Sequence, residues 1–513
     1  MRRYLIAASV FLCPSLAMAG GFEIPDVGTK ALGRGSAFTA RADNLSAFLY
    51  NPAGLSKSKG INVLLVGGAV NMNVEFQRGG SGDFYCFPDD PMGCDATMPN
   101  SGRRFDPAVD PNTGEAYGLV KNTGKVGPAP MFVVNWGDVG GVDGLAIALG
   151  VVPPSAFGSA TYKDDGPQRY ALRGASSLSL QAGLGISYQY KDYFAIGATF
   201  SNAMTIAEFH RAARGLINPE DTEDNESPDA DSDFLLSVKD LWTPVMSMGV
   251  LGKPVKWLEM GLTFRTPLNI EADGDLTLDP SEAASESVLY GTGVTYRQRQ
   301  PWIVRAGIRY IHERFDIEVD YVFEDWSNTS TCDVGKEKTG DDQERSVCGN
   351  GFEVDFDDDT GVTLPNLGDI PLVDFMVPKN YRDVHQVRFG MDVEAIPKVF
   401  AVRAGAWYQT SAFPKNYETF SVDFPVGEQV AVTAGLTWKA LERKKKHPHK
   451  ADNWLDVNVG YSHVFQPTIK VTEGVLGQRG ITTPGTPLSG NVINNGTYDV
   501  SYNLFGVSLE GHF

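Results

Sequence analysis

The sequence predicts an all-β fold, a transmembrane antiparallel β-barrel of about 14 strands. Three observations predict it: a closing strand that alternates up to a terminal aromatic residue, fourteen segments of period-two hydrophobicity, and an export signal with no long apolar helix after it. Counting back by twos from Phe513 gives Gly511, Leu509, Val507 and Phe505, with polar or small residues between. Strand side chains alternate faces, so these positions meet lipid and the last aromatic sits at the membrane boundary.

Residues 1–19 read as a secretory signal peptide. Arg2 and Arg3 precede an apolar run from Leu5 to Leu12, and Ala17-Met18-Ala19 supplies the cleavage pattern. Cys13 follows Leu12 where a lipoprotein signal needs a small residue, so cleavage is expected after Ala19. Beyond it no uninterrupted apolar run reaches the ~18 residues of a spanning helix. Losing two arginines moves the formal charge from −19 to −21, and 56 glycines accompany 19 tyrosines and 28 phenylalanines. Glycine and aromatics suit a barrel with a wet lumen, and the acidic balance speaks against nucleic acid, whose phosphates need clustered Lys and Arg.

Strands are predicted near 61–76, 128–137, 144–152, 176–190, 193–202, 243–252, 257–270, 302–311, 314–325, 383–394, 398–410, 428–439, 454–466 and 498–513. Connections alternate between tight ones, such as Lys191-Asp192 and His312-Glu313, and long ones near 77–127, 203–242, 326–382 and 467–497. Short turns belong in the periplasm and long loops outside. The turn Ala440–Asn453, with Arg443-Lys444-Lys445-Lys446, is longer and is expected to be a solvated periplasmic turn. In the first strand Leu64, Val66, Val70, Met72, Val74 and Phe76 are expected to face lipid and Asn71, Asn73 and Glu75 the lumen.

A two-residue turn at His312-Glu313 pairs Ile311 with Arg314, which sets Arg309 against Asp316 and Arg305 against Asp320 as lumen ion pairs. Arg265, Arg388 and Arg403 are also expected inside. These arginines suit either a ligand carboxylate or a structural ion network with their acidic neighbours. Cys86 with Cys94, and Cys332 with Cys348, each lie within one long loop, which suggests two local disulfides in an oxidising compartment; no His lies near enough to suggest a metal instead.

Between the signal and the first strand, Gly21-Phe22, Ala31-Leu32-Gly33-Arg34-Gly35, Ala40-Arg41-Ala42-Asp43 and Asn51-Pro52-Ala53-Gly54-Leu55 follow one another in order. This set resembles the N-terminal region of the FadL-type outer-membrane transporters of long-chain fatty acids and aromatic hydrocarbons. The resemblance implies a hatch over 20–60 that plugs a barrel spanning 61–513, with Phe22, Glu23, Ile24, Asn51 and Pro52 near the ligand. It implies a lateral exit at a kink in the third strand, at Pro153, Pro154, Phe157 and Gly158. Proline cannot donate to a ladder, so pairing must fail there; a strand that simply ends at a loop reads the same way. One departure is Glu23-Ile24-Pro25-Asp26, where relatives often carry an acidic residue followed by Gln, which leaves headgroup preference open.

A plug also follows from physics, because a barrel of this size would otherwise hold an open aqueous channel. A hydrophobic solute crossing a wet lumen end to end would forfeit about 25 cal/mol per Å² of apolar contact, which lateral release avoids. The acidic runs 218–233 and Asp355–Asp359 lack the glycine and closing Glu of a calcium loop and read as solvated. The reading is passive, gradient-driven uptake of a hydrophobic small molecule, long-chain fatty acids first and monoaromatic hydrocarbons by the same route as the alternative, in the outer membrane of a Gram-negative cell, with no cofactor and no metal. Expected partners are that ligand, membrane lipid and lipopolysaccharide, and the barrel-assembly machinery reading the closing strand; the chain is expected to be a monomer. Competing readings are an adhesin or open porin, which leaves the N-terminal set unexplained, and a barrel hydrolase using His210 or His385.

Overall fold

The computed structural model describes residues 27–79, 84–85, 116–124, 126–153, 160–214, 231–279, 288–334, 348–364, 368–372, 374–443, 453–476 and 490–513. The signal peptide, Phe22, Glu23, Ile24, Cys86, Cys94, Pro154, Phe157, Gly158 and the basic turn at 444–452 therefore lie outside the described residues.

Fourteen strands form the ring. They are β1 (Gly60–Arg78), β2 (Met131–Gly137), β3 (Leu145–Val152), β4 (Gly174–Tyr190), β5 (Phe194–Arg214), β6 (Asp231–Val255) and β7 (Leu258–Arg265). The second half is β8 (Ile303–Ile311), β9 (Phe315–Glu324), β10 (Val384–Ile396), β11 (Phe400–Gln409), β12 (Gln429–Arg443), β13 (Asn453–Phe465) and β14 (Gly496–His512). Each pairs antiparallel with the next, and β14 returns to β1 from Asn62↔His512 to Arg78↔Gly496. Closure gives every strand a partner on both sides, which a bilayer demands because it offers no water to an open edge. Leu149, Leu184, Phe200, Leu262, Ile308, Val432 and Val507 are exposed and form the lipid-facing band. Trp136, Tyr193, Trp257, Trp438 and Phe513 are exposed around the short-turn rim, the girdle expected at a membrane interface.

Four sequence expectations need correction. First, the apolar row of β1 faces inward: Leu64, Val66, Val70, Met72, Val74 and Phe76 are all buried, whereas Ile61 and Leu65 are exposed. Period-two alternation separates two faces without saying which one is wet, and here the interior is greasy. Second, the turn between β8 and β9 is longer than two residues. Ile311 pairs with Asp316, Arg309 with Glu318, Gly307 with Asp320 and Arg305 with Val322. A two-residue hairpin needs positive φ at its centre, which Asn-Gly supplies and His-Glu does not, so the chain takes a four-residue connection. A slip of two residues keeps the faces, so all four charged groups still point inward.

Third, the segment 257–270 divides at Thr266-Pro267, where the proline interrupts the ladder. Fourth, part of the long connections is strand. The outer half of β6 pairs with Leu268–Asp279, which pairs with Gly293–Gln300, then Gly351–Phe356 and Phe375–Pro378, extending the wall outward. The Cys332–Cys348 disulfide is present beside this extension, with Cα atoms 5.1 Å apart.

Candidate ligand passage

The segment Val27–Lys57 lies inside the ring. It carries two single-turn helices, α1 (Thr29–Leu32) and α2 (Ala47–Tyr50), and the 3-10 helix Pro52–Lys57. Its backbone reaches the wall because inward positions there are glycine. A Cβ at Gly390 or Gly405 would overlap the Arg34 backbone, at Gly197 it would meet Pro52 and at Gly261 Thr39. Helices this short bring little stability of their own, so side-chain and wall contacts must hold the segment.

Those contacts combine apolar packing of Leu32, Leu45, Phe48 and Leu55 with a set of buried ion pairs. Arg34 reaches Asp316 at 3.0 Å, Glu318 at 3.3 Å and Asp392 at 3.4 Å. Arg41 meets Asp316 at 2.9 Å and Asp392 at 2.8 Å, and Arg309 bridges Asp316 at 3.1 Å and Glu259 at 2.7 Å. Asp320 accepts from the amides of Phe38 and Thr39, both at 2.9 Å, and Glu318 from that of Ala40 at 2.7 Å. Buried charge is tolerable only when paired and hydrogen-bonded, and here the wall carboxylates neutralise the segment's arginines. Of the expected lumen pairs, Arg309–Asp316 forms as a diagonal contact, while Asp320 spends one oxygen on the N-terminal backbone. Asn51 donates from its side chain to the carbonyls of Thr39 and Val250 and accepts from the Ala53 amide, so it caps the 3-10 helix and ties it to β6.

Above this floor Arg265, Arg305 and Arg388 are buried around Glu324, whose oxygens take Gln386 and Trp326 as donors at 2.7 and 2.8 Å. Further out the interior turns aromatic and apolar. The β1 row continues into Tyr498, Val500, Tyr502 and Leu504 of β14, and Phe76 stacks on Tyr498 at 4.5 Å. A loop at 411–426 inserts Phe413, Phe420 and Phe424, which lie edge-on to Tyr381, Tyr498 and Phe352 respectively. Lys379 is buried among these rings, 5.0 Å from Phe424, with Asp423 2.8 Å from its Nζ. Burial pushes its ammonium below the ordinary lysine range, against the pull of Asp423. Burial also holds the phenols of Tyr162 and Tyr381 well above the ordinary tyrosine range. The sequence reading missed this outer aromatic cluster; its signal was the aromatic density of the segment from Phe413 to Phe424.

Among the described residues the β3–β4 ladder runs to Val152↔Gln181, and the next pair on that side of β4 is Ala160↔Ala175. Above that interval Thr123 donates its amide to the Thr161 carbonyl at 2.7 Å. Pro153 stands at its lower edge. The inner surface beside it is apolar: Val152, Met131, Val133, Ala129, Tyr162 and Phe48 of α2 belong to one buried cluster that includes the β1 row. His210 is held by Asp233 at 2.6 Å and His385 by Tyr321 at 2.7 Å, each in an outer region of the wall.

Residues 10–509 match the family described as outer membrane protein transport protein (OMPP1/FadL/TodX). The chain belongs to that family. It is an outer-membrane barrel, and the family is of the transporter type, moving hydrophobic compounds. No curated protein matches the chain in sequence. Among solved structures, a Pseudomonas aeruginosa FadL homologue aligns with a TM-score of 0.65 at 14% identity, covering 96% of this chain and 100% of the other. The Ralstonia pickettii toluene transporter TbuX aligns at 0.57 with 12% identity, covering 96% and 99%. The Pseudomonas putida toluene transporter TodX aligns at 0.55 with 12% identity, again covering 96% and 99%. At these identities the likeness is one of fold.

Proposed function

We propose that this family member mediates passive, gradient-driven uptake of long-chain fatty acids. The segment 20–60 acts as a hatch, and the ladder interval after Val152 acts as the lateral exit. The observation that carries this reading is the inward apolar row of β1. From Val66 to Phe76 it extends roughly 33 Å at strand rise, joined to the cluster that borders the interval. The row is covered by packed side chains in this state; once these yield, an extended acyl chain gains contact along the whole row, whereas a single aromatic ring covers only a small part of it. The buried arginines at 265, 305 and 388 also favour a carboxylate headgroup. Uptake of monoaromatic hydrocarbons by the same route is the second reading, supported by the outer aromatic cluster around Phe413, Phe420 and Phe424.

The test is uptake of labelled oleate by cells lacking their own transporter and expressing this chain, with toluene or xylene as competitor. Saturable oleate uptake that resists the aromatics is expected. Absence of oleate uptake, where surface proteolysis confirms a folded barrel, transfers the assignment to a smaller hydrophobe.

A further inference from the structure

The geometry points to a divalent-cation site formed by Asp456, Glu510 and His512 at the periplasmic mouth of the lumen, with Zn²⁺ as the natural probe. Asp456 and Glu510 are cross-strand partners on β13 and β14, and His512 follows on the same face of β14. Their ligating atoms all lie within 4.8 Å of one another, and the residues are only 4%, 0% and 7% exposed.

The imidazole is set for ligation. Asn62 of β1 donates its amide nitrogen to the carbonyls of Lys59 and Gly60, so the oxygen is the atom it turns to His512. Nδ1 must therefore carry the proton it donates across 2.5 Å to that oxygen, which leaves Nε2 on the carboxylate side. A partner of this kind is what orients a metal-binding histidine. Nε2 lies 3.7 Å from Glu510 Oε1, too far for a hydrogen bond. It is close to the roughly 3.4 Å separating two ligands on one tetrahedral ion with bonds near 2.0–2.1 Å.

Charge points the same way. Neither oxygen of Glu510 nor Asp456 Oδ1 receives a hydrogen bond. The Lys30 ammonium, 3.2 Å from Glu510 Oε2, balances one of the two carboxylates. Lys439, opposite Asp456 across the ladder, is exposed and its charge is screened by solvent, so carboxylate oxygens without hydrogen bonds stay buried beside a nitrogen lone pair, and a cation held by all three groups removes that cost. The donor set of one imidazole and two carboxylates suits a first-row divalent ion. Lys30 lies in α1, so the ion and the N-terminal segment draw on the same carboxylate.

The experiment uses barrel extracted from outer membranes without a polyhistidine tag, with His447 and His449 replaced by alanine to remove a competing histidine pair. After chelation, Zn²⁺ is titrated and bound metal is counted by elemental analysis. About one Zn²⁺ per chain is expected, and His512→Ala and Asp456→Asn should each weaken binding by about 10-fold or more. Because β14 closes the barrel, folding of each variant is checked by heat-modifiable gel mobility. Lys30→Met, outside the strands, should tighten binding. No stoichiometric Zn²⁺ in folded barrel, or binding that Asp456→Asn leaves unchanged, overturns the site and leaves a second proton on His512 as the balancing charge.

Discussion

Arg34 and Asp316, 282 positions apart in the chain, meet at 3.0 Å inside the barrel. The Arg34 side chain is fully buried and Asp316 nearly so. Removing one member of such a pair leaves an uncompensated charge, at a cost of about 3–5 kcal/mol. In Arg34→Met the barrel should assemble but the N-terminal segment should loosen. Single-channel recordings in planar bilayers should then show a higher conductance than wild type; unchanged conductance would mean that Arg41 and the amide contacts of Asp320 suffice.

The wall glycines make a sharper version of the same prediction. A side chain at Gly405 would occupy the Arg34–Gly35 backbone, whereas Gly67 faces outward with nothing within 4 Å of an added Cβ. Gly405→Val should raise conductance and sensitivity to bulky hydrophilic antibiotics, and Gly67→Ala should change neither.

At the proposed exit, replacing both prolines tests whether their missing amides keep the ladder open. Pro153→Ala with Pro154→Ala should cut oleate uptake severalfold while leaving surface-exposed barrel unchanged in amount. Uptake equal to wild type would sink the lateral route at this strand.

The outer aromatic cluster carries a pH dependence. The phenols of Tyr162 and Tyr381 are raised by burial above their ordinary value near 10, so the unfolded loops lose their protons first. Stability from these groups is full below pH 10 and falls as pH climbs from there toward the folded values. Near-ultraviolet circular dichroism of the cluster should hold from pH 7 to about 10 and then collapse, with delayed tyrosinate absorbance. Tyr381→Phe should shift the collapse upward; a transition below pH 9 would contradict the assignment.

Cleaving the Cys332–Cys348 bond frees a loop of sequence separation 16. In the chain-entropy description such a loop is worth about 3 kcal/mol. Cys332→Ser with Cys348→Ser should therefore speed tryptic cutting within this loop on intact cells, without loss of the heat-resistant barrel.

Strand number, order and most boundaries were legible in the sequence because alternation and turn residues are local. Lys191 and Lys398 take positive φ at tight turns, and the chain reverses near where the pattern predicts. The register at Ile311↔Asp316 was not legible, since it depends on how many residues the turn absorbs. The orientation of β1 was hidden for another reason: its apolar row meets Phe48 and Leu45 of a segment that only folding brings alongside. The outer aromatic cluster also joins distant pieces, Lys379 to Asp423 and Phe76 to Phe420 through Tyr498.

The sequence by itself determined the closed antiparallel barrel, its compartment and the ordered N-terminal motifs, because period, length and charge act along the chain. Only the tertiary structure decided what fills and lines the lumen. Which carboxylate meets Arg34, which glycine yields to the N-terminal backbone, and that Asp456, Glu510 and His512 converge beside Asn62 all depend on register and closure. Those are properties of strands fixed against one another, and a one-dimensional pattern of polar and apolar residues does not specify them.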